Sequence, residues 1–292
     1  MVNAHDDLVM ISGDLAVSVI QVNGIDLFYT IEGSSENEPL LLVAGFDSDS
    51  STWAAMMPLL VKQYQVLRFD NRGIGQSSVP DSSYSIKQMA ADAAALLDYL
   101  SISQVNVAGS SMGGQIAQEL ALAHPEKIKS LIILSSWASR NDKFNSLIEM
   151  FGDLAQKLER TLYQKVLLPW VFTDAFYSTP GAMEQLLSLI ENQPFPPTPH
   201  GLYHQSRAIL SSDTSDRLAD IHCPTLVVVG KEDLVTPIKF SQQLAQGIPK
   251  AELAILEHGG HAFVVESADA VVKVMLDFLA KHRQSPRQST QV

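Results

Sequence analysis

The chain has 292 residues, 46% of them hydrophobic, enough to bury a sizeable core in one domain that carries an insertion. A formal net charge of −12 argues against sequence-independent binding to nucleic acid or to anionic lipid, because both need concentrated Lys and Arg. The single cysteine, Cys223, reads as a small core residue and leaves no intramolecular disulfide and no thiolate metal cluster; no apolar run reaches the length that spans a bilayer.

His5, Asp6 and Asp7 stand where a secretory leader would carry positive charge, so a cytoplasmic protein with no membrane partner is the expectation. β-rich runs at 17–22 and 25–31 flank Asn23-Gly24, the strongest short hairpin signal, and predict an antiparallel edge. From Leu40 the pattern alternates: LLLV at 40–43, a helix containing Trp53 to Leu60, QVLRF at 65–69, a helix over 86–100, and QVNVA at 104–108. A further helix is predicted over 114–124, with Ile116, Leu120 and Ala123 along one face and Pro125 at its boundary. Later apolar runs are LIIL at 131–134, TLVVV at 225–229 and ELAIL at 252–256. Apolar runs alternating with amphipathic helices predict right-handed β-α-β units and a mostly parallel sheet flanked by helices, an α/β fold.

That alternation breaks between Trp137 and about Ala219. The stretch has helical patterning, a Pro-rich segment at 193–200, and large apolar groups that include Trp137, Phe144, Phe151, Trp170, Phe176 and Phe195. An insertion of this size is expected to be a helical cap, its large side chains either forming the cap's own core or facing a ligand. The expected organisation is a core at 14–136 and 220–283, a cap at 137–219, and a disordered polar tail at 284–292.

The chemistry is carried by Gly109-Ser110-Ser111-Met112-Gly113, between a strand-like and a helix-like run. A serine hydroxyl is a poor nucleophile, so it must be held exposed, beside a base, on a turn too sharp for bulky neighbours. Centring the frame on Ser110 would put Ala108 and Met112 at the flanking positions, so Ser111 is the candidate. Such a G-x-S-x-G elbow points to hydrolysis through a covalent acyl-enzyme. The base, and the acid that orients it, should lie on loops after later strands. Those loops hold Glu232 and Asp233 after one run, and His258 and His261 after the next.

With these motifs the sequence resembles the α/β-hydrolase superfamily over nearly its whole length. Asp70-Asn71-Arg72-Gly73-Ile74-Gly75-Gln76-Ser77 looks like the turn after the family's fourth strand, and Gly259-Gly260-His261 followed by Glu266 looks like its histidine loop. The order serine, aspartate, histidine is also the family's. Ser111-Met112-Gly113-Gly114 is similar to the elbow of carboxylesterases and enol-lactonases. The resemblance implies an α/β-hydrolase fold with Ser111 as nucleophile, Asp233 as acid and His261 as base. It places the oxyanion-hole donors on the backbone N–H groups of Phe46 and Met112, although Ala44 stands where the common pattern has histidine. Glu232 is the fallback acid and His258 the competing base.

The resemblance implies a small-molecule ester or lactone as substrate, and the aromatic-rich cap favours a bulky apolar one, such as a natural-product ester or a macrocyclic lactone. It implies no metal and no organic cofactor. His200 and His204 stand at helical spacing, but Gly201 occupies the position where a zinc protease needs glutamate. Gly73-x-Gly75 lacks the third glycine of a dinucleotide loop. A C–C bond hydrolase, a cofactor-free perhydrolase and a non-catalytic ligand-binding protein are the alternative readings.

Overall fold

Asn23 and Gly24, both at positive φ (47° and 78°), close a two-residue turn between strands β2 (Leu15–Val22) and β3 (Ile25–Glu32), whose ends pair Val22 with Ile25. Positive φ at both central residues matches the twist of the flanking strands, which is why this dipeptide specifies a hairpin. With β1 (Val9–Ser12) the hairpin forms the antiparallel flank of a nine-stranded sheet. The computed structural model describes residues 9–12 and 15–283; the charged residues 5–7 and the tail expected at 284–292 lie outside them.

The parallel part comprises β4 (Glu38–Val43), β5 (Tyr64–Phe69), β6 (Val105–Ser110), β7 (Ile128–Leu134), β8 (Thr225–Gly230) and β9 (Glu252–Leu256). The spatial order is β1-β2-β3-β5-β4-β6-β7-β8-β9. The chain therefore builds outward from β4 to β5 on one side, then returns to lay β6 on the other. The carboxyl ends of β4 and β6, where Val43 pairs with Gly109, form the crevice in which open α/β sheets place ligands.

Successive residues of a strand face opposite sides of the sheet, and here each side has its own core. Leu41, Val43, Val107, Leu131, Ile133 and Val227 pack with α2 (Ile86–Tyr99), α3 (Met112–Ala123) and α9 (Ile238–Gly247). Leu40, Leu42, Ala108, Ile132, Leu134 and Val228 face Trp53, α1 (Met57–Leu60), α10 (Phe263–Glu266) and α11 (Ala268–Lys281). Burial on both faces explains why the central strands read as unbroken apolar runs rather than alternating ones.

The helix expected over Trp53 to Leu60 is in fact two pieces. Ser50–Trp53 is a 3-10 turn capped by Asp49, and α1 begins afresh with Pro58 in its first turn, where a missing N–H breaks no intrahelical bond. The helix expected over 114–124 starts two residues earlier, at Met112, directly after the candidate serine. Cys223 is half-buried against the core, and burial pushes its thiol up to about 11.

Between β7 and β8 lie α4 (Asp142–Lys157), α5 (Arg160–Val171), α6 (Asp174–Ser178), α7 (Ala182–Glu191) and α8 (Pro199–Leu210). Helices α4 and α8 pack together. Trp137 and Phe144 meet as tilted rings (centroids 4.7 Å apart), and Phe144 meets Phe240 of α9 at 5.7 Å, so these rings join the main core rather than forming a separate one. Among the described residues, no helix is long and apolar enough to cross a membrane.

Candidate active site

Ser111 sits at the junction of β6 and α3 with φ 55° and ψ −117°, a conformation costly for a residue with a side chain. The surroundings hold it there. Ser111 N–H donates to Leu134 O at 2.8 Å, and Ser111 O accepts from Ser136 Oγ at 2.8 Å and Gly114 N at 2.9 Å. The two glycines of the motif are required by close approach: a Cβ on Gly109 would lie 2.1 Å from Gly113 O, and one on Gly113 would lie 2.0 Å from Val43 O. The strained turn lifts the serine side chain above the sheet edge, whereas the Ser110 residue is buried.

Two loops at the same edge complete the arrangement. After β8, Asp233 Oδ1 accepts from Val235 N at 2.9 Å and Thr236 N at 2.8 Å, and Oδ2 accepts from Thr236 Oγ1 at 2.8 Å. After β9, His261 Nδ1 lies 3.0 and 3.1 Å from the two Asp233 oxygens, and its Nε2 lies 2.9 Å from Ser111 Oγ. A carboxylate can only accept, so the proton belongs on Nδ1, which leaves Nε2 free to accept from the serine hydroxyl. Burial works to raise the Asp233 carboxyl, but the facing imidazole and the Thr236 N–H overcome it and hold the group below its ordinary range. The site can thus keep a carboxylate charged in a dry environment and draw a proton from Ser111.

Glu232 is exposed, and its backbone N–H donates to Gly259 O at 3.1 Å. His258 is exposed too, three residues before the histidine that meets Ser111. The ring of His204 lies against Tyr84, Tyr203 and His200, and His200 Nε2 lies 3.2 Å from Pro80 O.

The loop after β4 runs against the elbow: a Cβ on Gly45 would lie 3.2 Å from Ser111 Cβ. The loop that continues into Phe46 therefore lies against the start of α3, where the first N–H groups of a helix lack acceptors one turn earlier and carry the positive end of the helix dipole. Ala44, at the position where histidine is common, has its carbonyl held by Asn71 Nδ2 at 3.0 Å. Asn71 itself is fixed by the turn it belongs to. Asp70 accepts from Ser50 N (2.8 Å) and Gln76 N (2.9 Å), and Arg72 makes a buried two-bond pair with Asp92 at 2.6 and 2.7 Å.

Sequence reasoning missed Thr236 and Asn71. Thr236 carried a usable signal, since Asp followed three residues later by Thr is an Asx-type turn that folds a carboxylate back on its own backbone. Asn71 had none, because its partner lies 27 residues earlier in the chain.

Comparison with known proteins agrees with this fold. A family model described as the alpha/beta hydrolase fold matches residues 38–268. RutD of Azorhizobium caulinodans, a candidate carbamate hydrolase, is 31% identical over 259 residues, covering 87% of this chain and 94% of its own. The crystal structure of the enol-lactonase from Burkholderia xenovorans LB400 superposes with a TM-score of 0.83 at 29% identity, covering 90% of this chain and 99% of that one. A hydrolase from Pseudomonas aeruginosa PA01 gives a TM-score of 0.82 at 28% identity, with 90% and 98% coverage.

Proposed function

The chain belongs to the α/β-hydrolase fold family, and we propose that it is a serine hydrolase cleaving a carboxylic ester or lactone through an acyl-enzyme. One observation carries this reading: the unbroken hydrogen-bonded series from Ser111 Oγ through His261 to Asp233. In the proposed mechanism Ser111 Oγ attacks the acyl carbon while His261 Nε2 takes its proton, and Asp233 stabilises the imidazolium that forms. The oxyanion is met by the N–H groups of Phe46 and Met112, each such donor being worth roughly 3 to 4 kcal/mol. Collapse expels the alkoxide, which takes the proton from His261. Water, deprotonated by the same imidazole, then releases the acid and restores Ser111.

Residues 137–219 act as the cap in this reading. Their half-buried apolar side chains, Trp170, Phe176, Met183 and Leu187 among them, favour a bulky apolar substrate such as a natural-product ester or a macrocyclic lactone. A carbamate is the second reading, supported by the name of the relatives, and it uses the same attack on an acyl carbon.

The test is turnover of p-nitrophenyl esters of increasing chain length, a macrocyclic lactone and an aryl carbamate by wild type and Ser111→Ala. Ester or lactone turnover lost in the variant is the expected result. Turnover of the carbamate alone would select the second reading. Cleavage of a vinylogous diketone but no ester, or peroxide-dependent halogenation alone, would move the assignment to C–C hydrolysis or perhydrolysis. Binding without any turnover would make the protein a ligand-binding relative.

A further inference from the structure

The strand β4 lies on one side of β6, and β8 and β9 lie beyond it on the other, so the loops bearing Phe46 and His261 approach Ser111 from two directions. One helix touches both. At the start of α5, Arg160 Nη1 donates to the two carboxylate oxygens of Asp47 at 2.8 and 3.1 Å, and Gln164 Nε2 donates to Oδ2 at 2.8 Å. At its end, Val171 O accepts from Ala262 N at 2.8 Å, next to His261. Thr173, just past the helix, donates to Glu266 Oε2 through its N–H (3.2 Å) and Oγ1 (3.0 Å), while Glu266 Oε1 accepts from Gly260 N. The helix has 12 residues and is therefore about 18 Å long.

Asp47 directly follows Phe46 and stands at φ 56°, in the left-handed region that a residue with a side chain occupies only when its surroundings impose it. Those surroundings come from far along the chain. Besides Arg160 and Gln164, Gln205 of α8 accepts from Asp47 N at 3.4 Å; locally, Ser48 Oγ donates to Phe46 O at 3.3 Å. Burial pushes the Asp47 carboxyl above its usual range even though Arg160 and Gln164 oppose the shift. The Asp47 side chain is buried and that of Arg160 half-buried; such a pair contributes little net stability, but its geometry is exacting, and removal of Arg160 strands the carboxylate.

We propose that Arg160, with Gln164, is a positioning residue for the oxyanion hole: through Asp47 it holds the Phe46 peptide beside Ser111, while the far end of α5 holds the loop of His261. One helix thereby sets the spacing between proton acceptor and oxyanion donor. The inference rests on the reading of Ser111, His261 and Phe46 given above.

The experiment compares wild type, Arg160→Met, Arg160→Lys and the double variant Asp47→Asn/Arg160→Met. The readouts are p-nitrophenyl butyrate turnover, the rate of Ser111 labelling by a fluorophosphonate, and the thermal midpoint. A displaced oxyanion donor weakens only the transition state, so Arg160→Met should lose about ten- to hundredfold in kcat with KM within about twofold. Labelling should slow by the same factor, since the phosphoryl oxygen takes the oxyanion position. Arg160→Lys should recover most of the loss, and the double variant should lose no more than Arg160→Met alone, because the two charges leave together. If Arg160→Met fails to fold, Gln164→Leu keeps the ion pair and is expected to lose about two- to fivefold in kcat and labelling alike. Labelling and kcat at wild-type values in folded variants, or a rise in KM alone, would overturn the inference and leave the site reading intact. A wild type that is not labelled at Ser111 would overturn the site reading and this inference with it.

Discussion

The elbow and the segment around α7 obey different packing rules. Every residue of β6 is buried, and α3 follows it at such close quarters that single atoms added at positions 109 or 113 would collide with backbone. Helix α7 has no fully buried residue; Leu186, Leu187 and Ile190 are half-buried against the core and Leu189 is 72% exposed. Backbone atoms crowd the elbow at Gly109 and Gly113, whereas a Cβ on Gly181, which caps the start of α7, would meet nothing within 4 Å. Close packing on backbone holds the elbow to one arrangement, whereas a helix with no fully buried residue tolerates change.

The sharpest way to break that comparison is at the elbow's one replaceable atom. Ser111→Ala removes only a hydroxyl, so kcat should fall by a factor of at least about 10³ while the thermal midpoint holds, as measured on any ester that wild type hydrolyses. Gly113→Ala should act on the scaffold instead. Its new Cβ meets Val43 O, and chemical denaturation should report a loss of about 3 kcal/mol.

Asp233→Asn sharpens the electrostatic side of the elbow. The folded carboxyl lies below its unfolded value, so it adds stability above about pH 4 that disappears as pH falls through the folded value. Denaturation midpoints measured between pH 5 and pH 2 should fall less steeply for the variant than for wild type. Asp47 and Asp70, raised by burial, work in the opposite sense and are common to both proteins. The smallest effect belongs to α7: Leu189→Ser should change stability by no more than about 0.5 kcal/mol, and the same denaturation assay that detects Gly113→Ala checks it.

The parts of the fold legible in the sequence are those whose signals are local. LLLV, TLVVV and LIIL read as buried strands because both their faces are covered, and Asn23-Gly24 fixed a hairpin by backbone geometry alone. The break between Trp53 and Met57 was local as well, but apolar residues on both sides of it concealed the turn. Ser111 was marked by its glycine frame, the loops after two apolar runs narrowed its partners to Glu232 or Asp233 and to His258 or His261, and the family resemblance selected Asp233 and His261; the structure brings Ser111, His261 and Asp233 together. The supports were not legible. Asp47 meets Arg160 across 113 residues, and Thr173 meets Glu266 across 93, pairings with no spacing to betray them.

The measurement closest to the centre of this account is intact mass after exposure to a fluorophosphonate, for wild type beside Ser111→Ala. The hydrogen-bonded series ending at Ser111 Oγ predicts one covalent adduct in wild type and none in the variant. Equal labelling of both proteins, or of neither, would contradict an activated Ser111.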